Sequence, residues 1–365
     1  MFTVGLRVAA VAFLSLVVLA GAPAAQTAPF AALRALGADA LKKLGAPGLS
    51  VAVAVNNRLA WAEGFGLADV EQEVPVRPDT VFRIASISKP ITAVAVMQLV
   101  ERGRVSLDDP VQRYVPAFPQ KGEQVVTIRH LLTHTSGIRH YRGDEFNSTV
   151  SYDTVEAALS IFKDDPLLFP PGARYSYSTY GYNLLGGVVE RASGLAFEVY
   201  LQERIWKPAG MTATALERPG DVVRFRARQY VRSPSGLHNA PYADLSVKWA
   251  GGGMISTATD LIRFHVALEE GRLLKPETLA RMYTPFTLND GRKSSYGLGW
   301  ELPVDEKGRP WIAHSGGATG GTTYLLRDPA RRLAVAILAN VQNAPGLRQI
   351  AIGLADAAIA TTGAK

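Results

Sequence analysis

The spacing of hydrophobic and polar positions changes period several times along the chain. Residues 48–56 (Gly-Leu-Ser-Val-Ala-Val-Ala-Val-Asn) form a nearly continuous apolar run rich in β-branched side chains, the pattern of a buried strand. Asn56-Asn57-Arg58 is turn-like and 59–65 resumes as a partner strand, which predicts a hairpin. Over 87–102 the period becomes helical, with Ile91, Val94, Ala95, Met97, Gln98 and Val100 on the faces a helix would bury. Pro90 fits this helix if Ser86 stands at or next to the N-cap, because a first-turn N–H has no intrahelical partner to lose. From about 108 to 290 the chain is punctuated by Pro and Gly and reads as mainly helical, with helices expected over 154–162, 183–192, 197–205 and 259–269. Residues 321–327 and 333–339 then read as two strands around Asp328-Pro329-Ala330, and 347–358 as an Ala-rich closing helix. Strands at both ends with helices between them predict an α/β (α+β) fold. Its antiparallel sheet is built from both chain ends and flanked by helices, with a mainly helical lobe inserted. The expected division is a sheet lobe from 26–110 and 290–365 against a helical lobe from 111–289, together one domain.

Composition narrows the chemistry. The 365 residues are 47% hydrophobic and 19% charged, an ordinary globular balance, and include no cysteine. Disulfides, thiolate metal sites and cysteine nucleophiles are therefore excluded. The formal charge of +7 raises the possibility of a nucleic-acid partner. Its densest cluster, Arg224, Arg226, Arg228 and Arg232, has no accompanying nucleic-acid motif and reads as a solvated face, so no nucleic-acid partner is expected. Arg7, an apolar run over 8–21 and then Ala22-Pro23-Ala24-Ala25 describe a secretory signal over 1–25. That run is short for a membrane span, so the expected product is exported, periplasmic or secreted, with no stable membrane insertion after cleavage.

Three short patterns carry candidate chemistry. Ser86-Ile87-Ser88-Lys89 is an S-x-x-K sequence at a predicted helix start, where i and i+3 share a face and the lysine amine can reach the serine hydroxyl. The helix N-terminus adds positive potential for a developing oxyanion. Ser160-Ile161-Phe162-Lys163 fits the same pattern but reads as an ordinary amphipathic helix, lacking the preceding strand region and suitable downstream partners. The stretch 171–182 is a hydroxyl-rich turn entering a helix, and a phenol such as Tyr177 beside a lysine can shuttle protons if the ammonium lowers its pKa. His314-Ser315-Gly316-Gly317, before a strand, fits an edge strand that holds a substrate and supplies an oxyanion donor.

In this order, S-x-x-K, Tyr177-Ser178-Thr179 and His314-Ser315-Gly316-Gly317 resemble the three motifs of the serine β-lactamase and penicillin-binding-protein family, class C type. Residues 107–116 and 131–137 resemble its linking segments. Residues 177–182, 190–194 and 248–253 are similar to the branch that includes mitochondrial serine β-lactamase-like proteins and their bacterial relatives. The resemblance implies Ser86 as nucleophile, Lys89 as its base or proton relay, and Tyr177 as the phenol completing proton transfer to the leaving group. The N–H groups of Ser86 and Gly317 would form the oxyanion hole, and His314, Ser315, Gly316 and Thr179 would line the substrate site. Two departures lean away from efficient lactam cleavage. Thr179 stands where many relatives carry asparagine, and His314 replaces a lysine with a group titrating near neutrality. The expected activity is hydrolysis of an ester or amide (peptide, ester or β-lactam) of a small molecule or peptide through an acyl-Ser86 intermediate, with no cofactor. A catalytically weak binding or scaffold protein on the same fold is the alternative, and the presence of Ser86, Lys89 and Tyr177 together speaks against it. No metal site is expected: His130 and His134 share an i, i+4 spacing, but Leu131 stands where the zincin helix needs glutamate, and His134 reads as a structural hydrogen-bonded residue.

Overall fold

The computed structural model describes residues 30–363; the expected signal segment 1–25 lies outside the described residues. A six-stranded antiparallel sheet forms the centre. In chain order its strands are β1 (Gly48–Val55), β2 (Arg58–Asp69), β3 (Val74–Pro75), β4 (Ile312–Ala318), β5 (Gly321–Asp328) and β6 (Leu333–Ala339), and in space they run β3-β2-β1-β6-β5-β4. The two chain ends meet in the middle, where Leu49 pairs with Ala339 and Val53 with Val335. Asn56 and Asn57 both adopt positive φ (53° and 56°), the conformation of a tight hairpin turn that matches strand twist.

The near-continuous apolar runs are explained by burial on both faces. In β6, Leu333, Val335 and Ile337 enter a core shared with α1 (Ala31–Leu44) and the closing helix Leu347–Thr362. The alternate residues Ala334, Ala336 and Leu338 enter the opposite core with helix Ala258–Glu269 and α2 (Ser88–Glu101). A strand covered on both sides needs no polar alternation. Helix α1 was not among the sequence expectations, although Leu33, Gly37, Ala40 and Leu44 make a readable buried stripe ending at left-handed Gly45.

The middle of the chain departs from the expected helices in three ways. The stretch 154–162 forms only a 3₁₀ turn, Ala157–Ile161. There Thr154 Oγ1 accepts from the Ala157 N–H and Ser160 Oγ donates to the Ala157 carbonyl, so side chains compete with the α-helical ladder. Helix Phe197–Leu201 continues through a π turn, Gln202–Trp206, within the expected 197–205 region. The helix expected from 183 begins at Thr179, because the Ser178 hydroxyl caps the Gly181 N–H at 3.1 Å. Small sheets also appear: Phe82–Arg83 pairs with Met254–Ser256, which pairs with Ala215–Leu216, and Tyr230–Ser233 pairs with Gly236–Asn239. Strands this short carry too few alternations to be read from sequence. Three of the four arginines of the basic cluster go to separate partners: Arg226 to Glu217, Arg228 to Glu71, and Arg232 to the Gly45 carbonyl.

Candidate active site

The site begins with a strained turn. Ala85 sits at φ 51°, a left-handed conformation that costs a residue with a Cβ on the order of 1–3 kcal/mol and survives only where the surroundings hold it. Here they do. The Ile84 carbonyl accepts from Thr323 Oγ1 at 3.0 Å, the Ile84 N–H reaches the Met254 carbonyl, and Ser88 Oγ donates to the Ala85 carbonyl at 2.7 Å. Ser86 follows in the 3₁₀ turn Ala85–Ile87, adjacent to Ile87, the N-cap of α2. Between Val81 and Leu99 every residue is buried except Ser86. Helix α2 is apolar around most of its circumference because it runs through the core, and its entry turn presents one hydroxyl to the outside.

Lys89, one turn on, is fully buried. Its Nζ lies 3.1 Å from Ser86 Oγ, 3.1 Å from Thr179 Oγ1 and 2.5 Å from the Gly251 carbonyl oxygen. A neutral amine has two N–H donors and one lone pair. The Gly251 carbonyl can only accept, so the lone pair is left for a hydroxyl, and Ser86 offers one. Burial drives the Lys89 pKa well below its ordinary value, the nearby Lys248 charge pushes the same way, and Glu301 opposes them. Glycine at 251 is required for this approach, since a Cβ there would stand 2.5 Å from Thr179 Cγ2.

Tyr177 precedes the helix Thr179–Ser193, and the Lys89 amine lies 4.6 Å from its ring centroid. Its phenol is within hydrogen-bonding reach of Ser86, yet burial raises its pKa well above the usual value. This corrects the expectation that the lysine would depress the phenol: burial dominates, with Glu301 pushing the same way and the Ser86 hydroxyl opposing, and Tyr177 is a proton donor at neutral pH. Thr179 is buried, with its hydroxyl accepting from Lys89 and its N–H donating to His140 Nδ1 at 3.3 Å.

The third motif lies on β4, the edge strand of the sheet. Gly316 packs against the nucleophile turn so closely that a Cβ would meet Thr323 Oγ1 at 2.2 Å and the Ile84 carbonyl oxygen at 2.7 Å. Gly317, next along, faces open space. The Ser315 N–H points away from β5, to Glu301 Oε1, so by strand alternation the Gly317 N–H also points off the free edge. His314 is fully buried, sharing Nε2 with the Tyr296 hydroxyl at 2.8 Å and Nδ1 with the Ser315 carbonyl at 2.6 Å. Burial lowers its pKa to about 4. The expectation of titration near neutrality is thus corrected: His314 is uncharged at pH 7, and no cation stands at that position.

The structure brings Ser86, Lys89, Tyr177 and Thr179 together and sets the His314–Gly317 strand against the same turn. Sequence reasoning passed over Lys248, Glu301 and Tyr296 as site neighbours. Lys248, which opens the 248–253 segment, is buried, donates to the Phe146 carbonyl at 2.6 Å, and burial lowers its pKa to about 7. His134 accepts the Ser178 N–H on Nδ1 at 3.1 Å, consistent with its structural reading, and its ring centroid lies 4.2 Å from that of Tyr177, tilted by 35°. His130 turns back to its own helix, where Nδ1 accepts the Thr127 N–H.

Known proteins resemble this chain over most of its length. The human "Serine beta-lactamase-like protein LACTB, mitochondrial" is 34% identical over 86% of this chain and 76% of its own length. Esterase EstB of Burkholderia gladioli is 31% identical over 80% of this chain and 79% of its own. Among solved structures, the octameric penicillin-binding protein homologue from Pyrococcus abyssi superposes with a TM-score of 0.76 at 28% identity, covering 88% of this chain and 75% of that one. The Beta-lactamase family model matches residues 33–359, nearly everything the structure describes. With a buried lysine against an accessible serine at its centre, the chain belongs to the beta-lactamase family and is a serine hydrolase.

Proposed function

We propose that the chain cleaves an ester or amide of a small molecule or peptide through an acyl-Ser86 intermediate. The observation that carries this reading is the desolvated Lys89 amine 3.1 Å from Ser86 Oγ. Neutral Lys89 takes the hydroxyl proton as Oγ attacks the substrate carbonyl. The N–H groups of Ser86 and Gly317 stabilise the resulting oxyanion. Tyr177 donates its proton to the departing oxygen or nitrogen as that bond breaks, and Lys89 returns one to Tyr177. Water then attacks the acyl carbon, giving the acid and restoring Ser86. On the lobe division 26–110 with 290–365 against 111–289, Ser86 and His314 belong to one lobe and Tyr177 and Thr179 to the other. The groove between them is the proposed substrate path.

Intact-mass spectrometry after exposure to a fluorophosphonate, and separately to a penicillin, tests the reading on wild type and Ser86→Ala. A single adduct on wild type alone supports an activated Ser86, and the penicillin sample shows whether a lactam is accepted. No adduct on folded protein would turn the assignment to the binding or scaffold alternative. Export is proposed for the same protein from the 1–25 segment, and the mature N-terminus of periplasmic or secreted material tests it. No helix among the described residues is long and apolar enough to cross a membrane.

A further inference from the structure

Glu301 lies where the open edge of β4 stops being covered. Its backbone bridges to Ala313 in both directions, N–H to carbonyl at 2.9 Å each way, so it pairs with the start of the edge strand. Two residues further, its carboxylate takes over from its backbone. Glu301 Oε1 accepts the Ser315 N–H at 3.1 Å and the Ser315 hydroxyl at 2.7 Å. The next outward N–H is that of Gly317, the oxyanion donor in the acyl-Ser86 reading. Both donors of Ser315 beside the reaction centre are therefore held by an internal carboxylate.

Among the described residues, the basic side chains around it are committed elsewhere and do not offset it for an incoming anion. His314 has both ring nitrogens engaged by Tyr296 and Ser315. Lys248 is buried against the Phe146 carbonyl, and Arg83 is locked to Glu217 at 2.7 Å. Arg309 and Arg348, on the segments that follow, are committed to Asp305 with Asp356 and to the Val304 carbonyl. Meanwhile Glu301 Oε2 has no partner among the hydrogen bonds of the described residues, and the side chain is 29% exposed. A group lying beside Gly317 thus meets an acceptor with negative charge.

The geometry points to Glu301 as a specificity-determining residue that rejects substrates carrying a carboxylate beside the scissile bond and favours those presenting an ammonium or amide N–H there. This assignment rests on the acyl-Ser86 reading. Like charges a few ångströms apart at an effective dielectric near 20 differ enough to change kcat/KM by about a hundredfold.

The test is kinetic, on the whole protein. One series varies the acyl side of a p-nitrophenyl ester: butyrate, the monoester of succinic acid, and the β-alanine ester, whose chain ends are methyl, carboxylate and ammonium. A second series keeps the butyryl group and places the same three charges on the phenol. Wild type should disfavour the carboxylate member by about a hundredfold in one series. Glu301→Gln, whose amide oxygen can still accept from Ser315, should narrow that ratio at least tenfold; taken as a ratio between esters, the readout cancels any change in Lys89 common to all of them. Equal rates across both series, or an unchanged ratio in Glu301→Gln, would overturn the assignment. Fluorophosphonate labelling separates the two failures: a wild type unlabelled at Ser86 sinks the acyl-Ser86 reading, and the Glu301 assignment with it.

Discussion

The chain contains the pattern Ser-x-x-Lys twice, and the two copies end in opposite environments. At 86–89 the serine follows left-handed Ala85, the lysine is fully buried, and its amine meets a hydroxyl, a second hydroxyl and a carbonyl. At 160–163 the serine is exposed on a 3₁₀ turn, and its hydroxyl donates to the Ala157 carbonyl at 2.9 Å. Lys163 remains partly exposed beside Asp164 and Asp165. Spacing brings a lysine within reach of a serine; it does not make the amine a base. That depends on desolvation, because an exposed ammonium keeps its proton at neutral pH. The difference between the copies is made by the residues around them: the β4 edge, the Gly251 carbonyl and the helix entry at Thr179.

The largest expected effect separates the copies directly. Ser86→Ala and Lys89→Met should each lower kcat/KM on an aryl ester by roughly a thousandfold or more, with Ser160→Ala and Lys163→Met within about twofold of wild type. Steady-state rates, with circular dichroism to establish folding, check this. Activity lost equally in both pairs would mean that the spacing alone suffices.

An intermediate effect is expected from moving the walls instead of the pair. Gly316→Ala adds a Cβ 2.2 Å from Thr323 Oγ1 and 2.7 Å from the Ile84 carbonyl oxygen, which must push β4 away from the Ser86 turn. Such overpacking costs about 1–3 kcal/mol, so the melting temperature should fall by several degrees and acylation by roughly tenfold to a hundredfold. Gly317→Ala, which faces open space, should melt within about a degree of wild type. Thermal unfolding and labelling rates of the two variants provide the contrast.

The smallest effect concerns the desolvated base. Only unprotonated Lys89 accepts the Ser86 proton, so acylation should rise with pH as Lys89 loses its proton. Because its pKa is lowered, the midpoint of that limb should lie well below 10.5. Lys248 lowers it further while charged, and its own pKa is about 7. Lys248→Met removes a positive neighbour, raises the Lys89 pKa and should move the acid limb to higher pH, by about one unit or less. At a fixed pH on that limb the variant is then slower by up to about tenfold. A limb unmoved in Lys248→Met would show that burial alone sets the base. The Tyr177 pKa lies well above 10, so no alkaline limb from its ionisation is expected near neutrality.

Much of this architecture was legible in the chain. The hairpin at 48–65, the paired strands near 321–339 and the closing helix announce themselves because strands buried on both faces and long helices repeat their pattern many times. The entry of α2 was legible because Pro90 is compatible with only a few positions of a helix. Helix α1 was overlooked despite its stripe, whereas the turn at 157–161 was misread because its local Ser and Thr hydrogen bonds leave no periodic trace. Lys248 and Glu301 could not be placed by pattern, since each reaches the site from a segment with its own local logic. Glu301 meets Ser315 across a backbone bridge, and Lys248 acts on Lys89 through space.

By itself the sequence determined the class of chemistry available: no cysteine, a serine and a lysine one helical turn apart, and two further polar motifs in a family order. Those are covalent facts and short-range spacings, which hold in any fold that makes the helix. Tertiary structure alone decided protonation: that Lys89 is starved of water, that Tyr177 keeps its proton, and that His314 carries no charge at pH 7. The physical reason is that a charge's stability depends on the water and dipoles surrounding it, and those come from residues far apart in the chain.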